Sequence, residues 1–179
     1  MSGWPTPSSP SAAAMPITLA RAGADGPAIP PLARARFAAY ARRVLAREGV
    51  RRADVSVVFA DDAFLRALNA RWRGIDRATD VLSFTYLDDG PEARRRALEG
   101  ELVLSTARLA AQARRYRHST GEELLRLVTH GLLHLCGHDH MKAGERKVMR
   151  AAEKVALRED ALEPTRAAFE SVARAALLP

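Results

Sequence analysis

Four of the five histidines in this 179-residue chain lie in the segment from His130 to His140, which reads HGLLHLCGHDH. His130 and His134 are four positions apart in a segment that predicts a helix, so both imidazoles project from one face and can reach the same ion. Gly137 is placed to end that helix in a left-handed turn, which lets the chain reverse and bring His140 to the same point. The spacing therefore predicts a helix, a tight reversal and a metal ion held between them.

A metal ion held by three protein nitrogens keeps one coordination position open. An open position is typical of catalytic zinc sites, in which the bound water is acidified to a pKa of ~7. We therefore predict one catalytic metal ion per chain, with His130, His134 and His140 as both ligands and catalytic residues. The alternative of surface or helix-capping histidines is disfavoured because the cluster follows a helical segment with many apolar residues for packing, namely Leu124, Leu125, Leu127, Val128, Leu132 and Leu133.

Three neighbours of these histidines are open to more than one interpretation. His138 does not share the ligand spacing and is assigned either to the surroundings of the ligands or to substrate contact. Asp139 either orients a ligand imidazole through its second N–H or stabilises the turn. Cys136, the single cysteine of the chain, lies two residues after His134 and is expected to point away from the ligand face. A packed thiol is therefore favoured over a zinc ligand.

Apolar periodicity predicts an α+β fold in a single domain, with about four mixed strands and five to six helices. Strands are expected at 16–22, 55–60, 80–86 and 101–105, and the polar segment 88–100 is expected to be a connection. Helices are expected at 32–48, after Asp61 or Asp62, and at 106–116, 121–135, 144–159 and 164–177. The predicted metal site then lies on a central helix and the turn after it. Residues 1–15 are predicted to be a disordered tail, 16–160 a metallohydrolase domain and 161–179 a C-terminal helical extension.

The charge balance favours a polyanionic partner. Lys and Arg number 28 against 21 Asp and Glu, and only Lys142, Lys147 and Lys154 are lysines. A guanidinium group binds phosphate oxygens through two parallel hydrogen bonds, which is typical of nucleic-acid recognition. A genome-wide preference for Arg over Lys is an equally good explanation of this ratio. With no secretory signal and no long apolar run, the chain is expected in the cytoplasm, without a membrane partner.

The histidine spacing also occurs in the metzincin proteases, whose signature is H-E-x-x-H-x-x-G-x-x-H. The Glu of that signature is the general base that takes a proton from the zinc-bound water. This chain has Gly131 at that position. The substitution argues against a protease that works by the metzincin mechanism.

Four segments, in order, resemble the signatures of the bacterial YbeY family. The segment His130–His140 matches the family's H-G-x-L-H-L-x-G-x-D-H. The other three are LNARWR from Leu68 to Arg73, which resembles L-N-x-x-[YW]-R, then TDVLSF from Thr79 to Phe84 and GELVLS from Gly100 to Ser105. The resemblance runs from about residue 16 to about residue 159. Two departures, Thr85 where Pro is frequent and His138 where Tyr is common, do not affect a predicted ligand.

The resemblance implies a cytoplasmic, single-strand-specific, metal-dependent endoribonuclease. Its expected roles are rRNA processing, including maturation of the 3′ end of 16S rRNA, and ribosome quality control. The implied ion is zinc. The implied partners are rRNA and ribosomal particles, a small-subunit ribosomal protein and a ribosome-assembly GTPase, with no DNA. A zinc metalloprotease-like hydrolase and a non-catalytic ribosome-assembly factor stay as alternatives, because no carboxylate is forced by spacing into the role of general base.

The resemblance also gives Arg73 a catalytic role. A guanidinium near the metal can hold the scissile phosphate and stabilise the charge that develops on its oxygens. Without the resemblance, Arg73 would be interpreted as a solvated residue at a helix end. Asp80 and Ser83 are interpreted as structural rather than catalytic. The arginine run at 94–96 either contacts RNA backbone or is simply solvated.

Overall fold

One mixed sheet of four strands forms the centre of the computed structural model, which describes residues 15–23, 26–86, 90–139, 142–159 and 163–178. The strands are β1 (Ile17–Arg21), β2 (Ala53–Ala60), β3 (Val81–Thr85) and β4 (Leu98–Ser105). Their order across the sheet is β1-β2-β4-β3. The first three strands in this order are parallel, and β3 lies antiparallel to β4 at one edge.

Helices connect and cover these strands. They are α1 (Pro31–Arg47), α2 (Asp62–Arg73), α3 (Pro91–Arg96), α4 (Thr106–Tyr116), α5 (Thr120–Leu135), α6 (Ala143–Glu159) and α7 (Glu163–Leu177). No helix within the described ranges is long and apolar enough to cross a membrane.

The main core lies between one face of the sheet and helices α1, α5 and α7. Alternate positions of β2, at Val55, Val57 and Phe59, are fully buried there, as the period of two along a strand requires. Phe169 of α7 stacks on Phe37 of α1 with ring centroids 4.6 Å apart. A smaller apolar cluster on the other sheet face is covered by α2 and consists of Val58, Ala60, Leu65 and Val103.

Helix α5 is the central helix, and its two ends are defined by the sequence. Ser119 and Glu122 form a reciprocal capping box at the N-terminus. At the C-terminus, Gly137 has a φ of 96°. The Gly137 N–H donates to the carbonyl of His134 at 2.9 Å, and the His138 N–H donates to the carbonyl of Leu133 at 3.0 Å. This pair of bonds is a Schellman motif, so the prediction that Gly137 ends the helix is confirmed.

The predicted α+β fold with about four mixed strands is confirmed. Each predicted strand and helix is present, with bounds that differ by at most a few residues. The structure has seven helices within the described residues, one more than the largest predicted number, because α3 lies in the segment predicted as a connection. Six residues that begin at Pro91 are too few to show helical periodicity. Residues 1–14 of the predicted tail lie outside the described residues.

Candidate active site

A cleft of about 830 Å³ opens between the C-terminal half of α5, the C-terminal end of α2 and strand β3. His130 and His134 of α5 line it, and so does Arg73, the last residue of α2. His138 and Asp139 line it from the turn after α5. The structure therefore brings the predicted residues of α2 and α5 to one cavity. The third predicted ligand, His140, lies outside the described residues.

The two histidines of α5 converge. The Nε2 atoms of His130 and His134 are 3.1 Å apart. Two nitrogens that bind one tetrahedral ion at ~2.0–2.1 Å lie about 3.3 Å apart, so this pair needs little adjustment to share an ion. Within the described ranges no cluster of three or more His, Cys, Asp or Glu side chains forms a complete metal site. The donor set that is present, two imidazole nitrogens, fits a transition metal.

A carboxylate orients one of the imidazoles. Glu153 Oε1 of α6 lies 2.7 Å from His130 Nδ1. The hydrogen bond from His130 holds the pKa of Glu153 below its usual value, although partial burial raises it. A carboxylate at Nδ1 keeps the proton on that nitrogen and leaves the Nε2 lone pair directed at the cleft. This arrangement is the one found behind most metal-binding histidines.

Sequence reasoning missed Glu153 and considered Asp139 for this role. A signal was present in the sequence, because Glu153 lies on the same face of α6 as the buried Met149 and Ala156. A carboxylate within an apolar helical stripe is unusual and usually has a partner. The partner could not be identified without knowing that α6 packs against α5.

The end of α2 is anchored in a way that positions Arg73. Gly74 adopts a left-handed conformation, with a φ of 68°, and ends the helix. The buried Asn69 donates from Nδ2 to the backbone carbonyl of Arg77 at 2.6 Å, and the backbone carbonyl of Asn69 accepts from the Ile75 N–H at 3.3 Å. These bonds tie the following loop back onto the helix. Arg73 is therefore exposed at an anchored helix end and lines the same cleft as the histidines.

Asp80 and Ser83 have structural contacts. The Asp80 carboxylate accepts hydrogen bonds from Gln112 Nε2 at 3.0 Å, Thr79 Oγ1 at 3.1 Å and the Val81 N–H at 3.0 Å. Burial raises the pKa of Asp80, but these hydrogen bonds outweigh it and the net pKa is lowered. Ser83 Oγ makes a long hydrogen bond of 3.5 Å to the carbonyl of Gly131. Both side chains connect β3 to the helices, and both residues also line the cleft.

Gly131 faces the sheet and not the cleft. A Cβ atom at this position would lie 2.8 Å from Leu102 Cδ2 of β4. A glutamate here would therefore point into the core, away from the two histidines. The geometry gives a second reason, independent of residue type, why this helix does not carry the metzincin general base.

The turn after α5 is held by its own partners. His138 Nε2 lies 2.7 Å from Glu48 Oε2 at the end of α1, and both side chains are mostly buried. Cys136 packs against the core, and burial raises the pKa of its thiol to about 12. A neutral, packed thiol agrees with the sequence interpretation of Cys136. Arg94 of α3 also lines the cleft, whereas Arg96 lies in a neighbouring polar depression.

Comparison with known proteins identifies relatives over most of the chain. The profile of the family described as Endoribonuclease YbeY matches residues 31–160. The Endoribonuclease YbeY of Desulforamulus reducens is 45% identical over 106 residues, which are 57% of this chain and 69% of the relative. That of Pelotomaculum thermopropionicum is 42% identical over 120 residues, 65% of this chain and 79% of the relative.

A solved structure supports the fold. The solution structure of a Thermotoga maritima protein superimposes with a TM-score of 0.50 and 22% sequence identity. The match covers 82% of this chain and 91% of that protein. At this level of identity the likeness concerns the arrangement of the chain alone.

Proposed function

Since the chain belongs to the Endoribonuclease YbeY family, we propose that it is a metal-dependent endoribonuclease that cleaves single-stranded segments of rRNA. Its proposed roles are maturation of the 3′ end of 16S rRNA and ribosome quality control, in the cytoplasm and on ribosomal particles. A small-subunit ribosomal protein and a ribosome-assembly GTPase are its proposed protein partners. The observation that carries the proposal is the convergence of the His130 and His134 Nε2 atoms, 3.1 Å apart, in the cleft that Arg73 also lines.

The proposed metal ligands are His130, His134 and His140. When bound, a zinc ion would supply a Lewis acid for the phosphate and lower the pKa of a water molecule towards ~7. Glu153 accepts a hydrogen bond from the Nδ1–H of His130 and so keeps the Nε2 lone pair available. Arg73 is proposed to bind the scissile phosphate through two N–H groups and to stabilise the negative charge that develops on its oxygens.

The family's name and the charge of the chain both support RNA as the substrate. A net charge of +7 favours a polyanion, and arginines from α2 and α3 line the cleft. A protease-like function is disfavoured because the general-base position of that mechanism is Gly131, which faces Leu102 in the core.

The test combines metal analysis with cleavage of structured rRNA fragments. Wild-type protein should carry about one zinc ion per chain and cleave the fragments in their single-stranded parts, and it should leave casein intact. His134→Ala should lose the metal and the cleavage while it keeps its helical circular dichroism, because His134 is only partly buried. The matched control is His118→Ala, which removes a histidine that bonds to Glu123 and lies outside the cleft.

Two results would contradict the proposal. If metal-free wild-type protein cleaves rRNA at full rate, the reaction does not need the metal. Metal-loaded protein that binds ribosomal particles but cleaves no RNA would favour the non-catalytic assembly factor.

A further inference from the structure

The most exposed large aromatic side chain in the described part of the protein lies at the cleft. Trp72 is in the last turn of α2, directly before Arg73, and is 62% exposed. Both residues line the cleft that contains His130 and His134. An indole ring is a large apolar surface, and a folded protein gains free energy by burying it. Its exposure beside the two histidines makes it a candidate contact for a ligand.

Two neighbouring side chains contact the indole. The Phe84 ring of β3 meets it edge-on, with centroids 6.2 Å apart and an interplanar angle of 62°. The guanidinium carbon of Arg71 lies 5.3 Å from the centroid of the indole, within the range of a cation–π contact. The anchored end of α2 fixes the backbone beneath it, through the bond from Asn69 to the carbonyl of Arg77. A preorganised aromatic surface loses little conformational entropy when it binds a ligand.

We propose that Trp72 is a nucleobase-binding platform, on which an unpaired base of the RNA stacks while the adjacent Arg73 engages a neighbouring phosphate. This inference rests on the proposed ribonuclease function and adds a binding site for a base to it. Stacking on tryptophan tolerates every base, because each base has a π-face, so the platform reads strandedness and not sequence. A base inside a duplex is already stacked and paired, and must leave its helix before it can reach the indole.

The surroundings of Trp72 favour RNA over a protein partner. Two arginines flank it in sequence, and Arg71 already contacts its ring, so the platform lies between cationic groups that suit a phosphate backbone. Tyr116 offers an internal comparison. It is 51% exposed and carries Arg115 at 5.6 Å from its ring centroid, but it lies at the end of α4 and outside the cleft. Trp72 thus differs from Tyr116 chiefly in its position beside the predicted catalytic groups.

Fluorescence gives a direct test, because the chain has two tryptophans and the other is Trp4. In a Trp4→Phe background, Trp72 is the only indole. We expect a single-stranded oligoribonucleotide to quench its emission, and a blunt duplex of the same sequence to have much less effect. A matched single strand with abasic nucleotides keeps every phosphate but has no base, and should bind weakly without quenching. The integrity of the RNA is checked on a gel at the end of each titration.

Substitutions then measure the contribution of the ring. Trp72→Leu should weaken binding of the single strand by about tenfold to a hundredfold, the effect of losing one stacked base. Its binding of the abasic strand should equal that of wild type. Trp72→Phe keeps an aromatic face and should retain most of the affinity, which separates stacking from loss of fold. Tyr116→Leu is the control and should leave both affinities unchanged, with melting temperatures recorded for all variants.

The outcomes distinguish this inference from the proposed function. If wild-type protein cleaves rRNA and Trp72→Leu binds and cleaves the single strand equally well, the platform is wrong and the ribonuclease function stands. Equal losses by Trp72→Leu for normal and abasic strands would also overturn it, because they would show a structural role for the indole. If the wild type cleaves no RNA but the base-dependent quenching is observed, the platform stands and the catalytic proposal fails.

Discussion

Substitution of Arg73 and substitution of the two histidines of the cleft should have different effects on metal content and RNA cleavage. We predict that Arg73→Ala keeps its metal but loses most RNA cleavage, by about 10²- to 10³-fold in rate, because one charge-assisted contact to a transition-state phosphate has this magnitude. Arg73→Lys should restore only part of the rate, since lysine returns the charge without the two-pronged geometry. Metal content and single-turnover cleavage of the same preparations measure the two effects separately.

The control for Arg73 is Arg66→Ala. Arg66 lies on the same helix and pairs with Asp76 in the open, outside the cleft. The substitution removes one positive charge and a surface ion pair that contributes little to the stability of the protein. If Arg73→Ala cleaves RNA at the rate of Arg66→Ala, with the same dependence on salt, then Arg73 is a solvated residue at a helix end and has no part in cleavage.

Glu153 should influence the metal through His130. We predict that Glu153→Gln lowers the affinity for zinc by about 10- to 100-fold, the usual cost of losing a carboxylate behind a ligand imidazole. Competition with a chromogenic chelator measures this affinity without reference to activity. Glu145→Gln on the same helix, where Glu145 pairs with the exposed Lys142, is the matched control. Equal zinc affinities for the two variants would show that the bond from Glu153 to His130 does not support the site.

At the scale of the element, two glycines set how closely α5 approaches its neighbours. A Cβ at Gly121 would overlap the backbone nitrogen of Glu170 in α7, whereas the atoms nearest to a Cβ at Gly131 belong to the Leu102 side chain, the first of them at 2.8 Å. Backbone cannot move as easily as a leucine methyl group. We therefore predict that Gly121→Ala destabilises the protein by several kcal/mol and Gly131→Ala by roughly 1–3 kcal/mol. Urea unfolding of both variants measures the difference, and a smaller loss for Gly121→Ala would contradict the observed helix contact.

The same scale shows what local sequence could and could not predict. Helix α5 was predictable almost to the residue, because its cap at Ser119, its apolar stripe and Gly137 are all encoded within the helix and its flanks. Helix α3 was not, since six residues give no periodicity. At the site, the spacing of His130 and His134 predicted their convergence. The bond from Glu153 was not predicted, because it joins residues 23 positions apart and depends on how two helices pack.

At the scale of the whole molecule, the free energy of unfolding at low pH should depend on a series of side-chain hydrogen bonds that joins a strand to two helices. Gln112 of α4 donates to the Asp80 carboxylate at the start of β3, and Arg126 of α5 donates to Gln112. The pKa of Asp80 is lowered by its hydrogen bonds from a usual value of 3.8. Its stabilisation is therefore complete above the unfolded pKa and is lost as the pH falls through the lower, folded pKa.

We predict that Asp80→Asn is less stable than wild type by about 1–3 kcal/mol at pH 7, because an amide NH2 group replaces one carboxylate oxygen and a partly buried donor loses its acceptor. This difference in the free energy of unfolding should shrink as the pH falls below 3.8, the usual value for this carboxyl. Denaturant unfolding from pH 7 down to pH 2.5 measures it. Asp54→Asn, on β2, controls for the general loss of a carboxylate from the sheet. A difference that stays constant over the whole range would show that protonation of Asp80 is not linked to folding.

The contact between α5 and α7 has a consequence for where this protein can be cut. The family profile ends at residue 160, yet Glu170 beyond it accepts the Gly121 N–H at 2.7 Å at the start of the helix that carries both histidines. Phe169 fills the core beside Phe37 and Tyr40. The segment that matches the family profile is thus shorter than the set of residues that pack into the core. A fragment trimmed to the limits of homology would keep every signature residue and lose part of the framework that holds them in place.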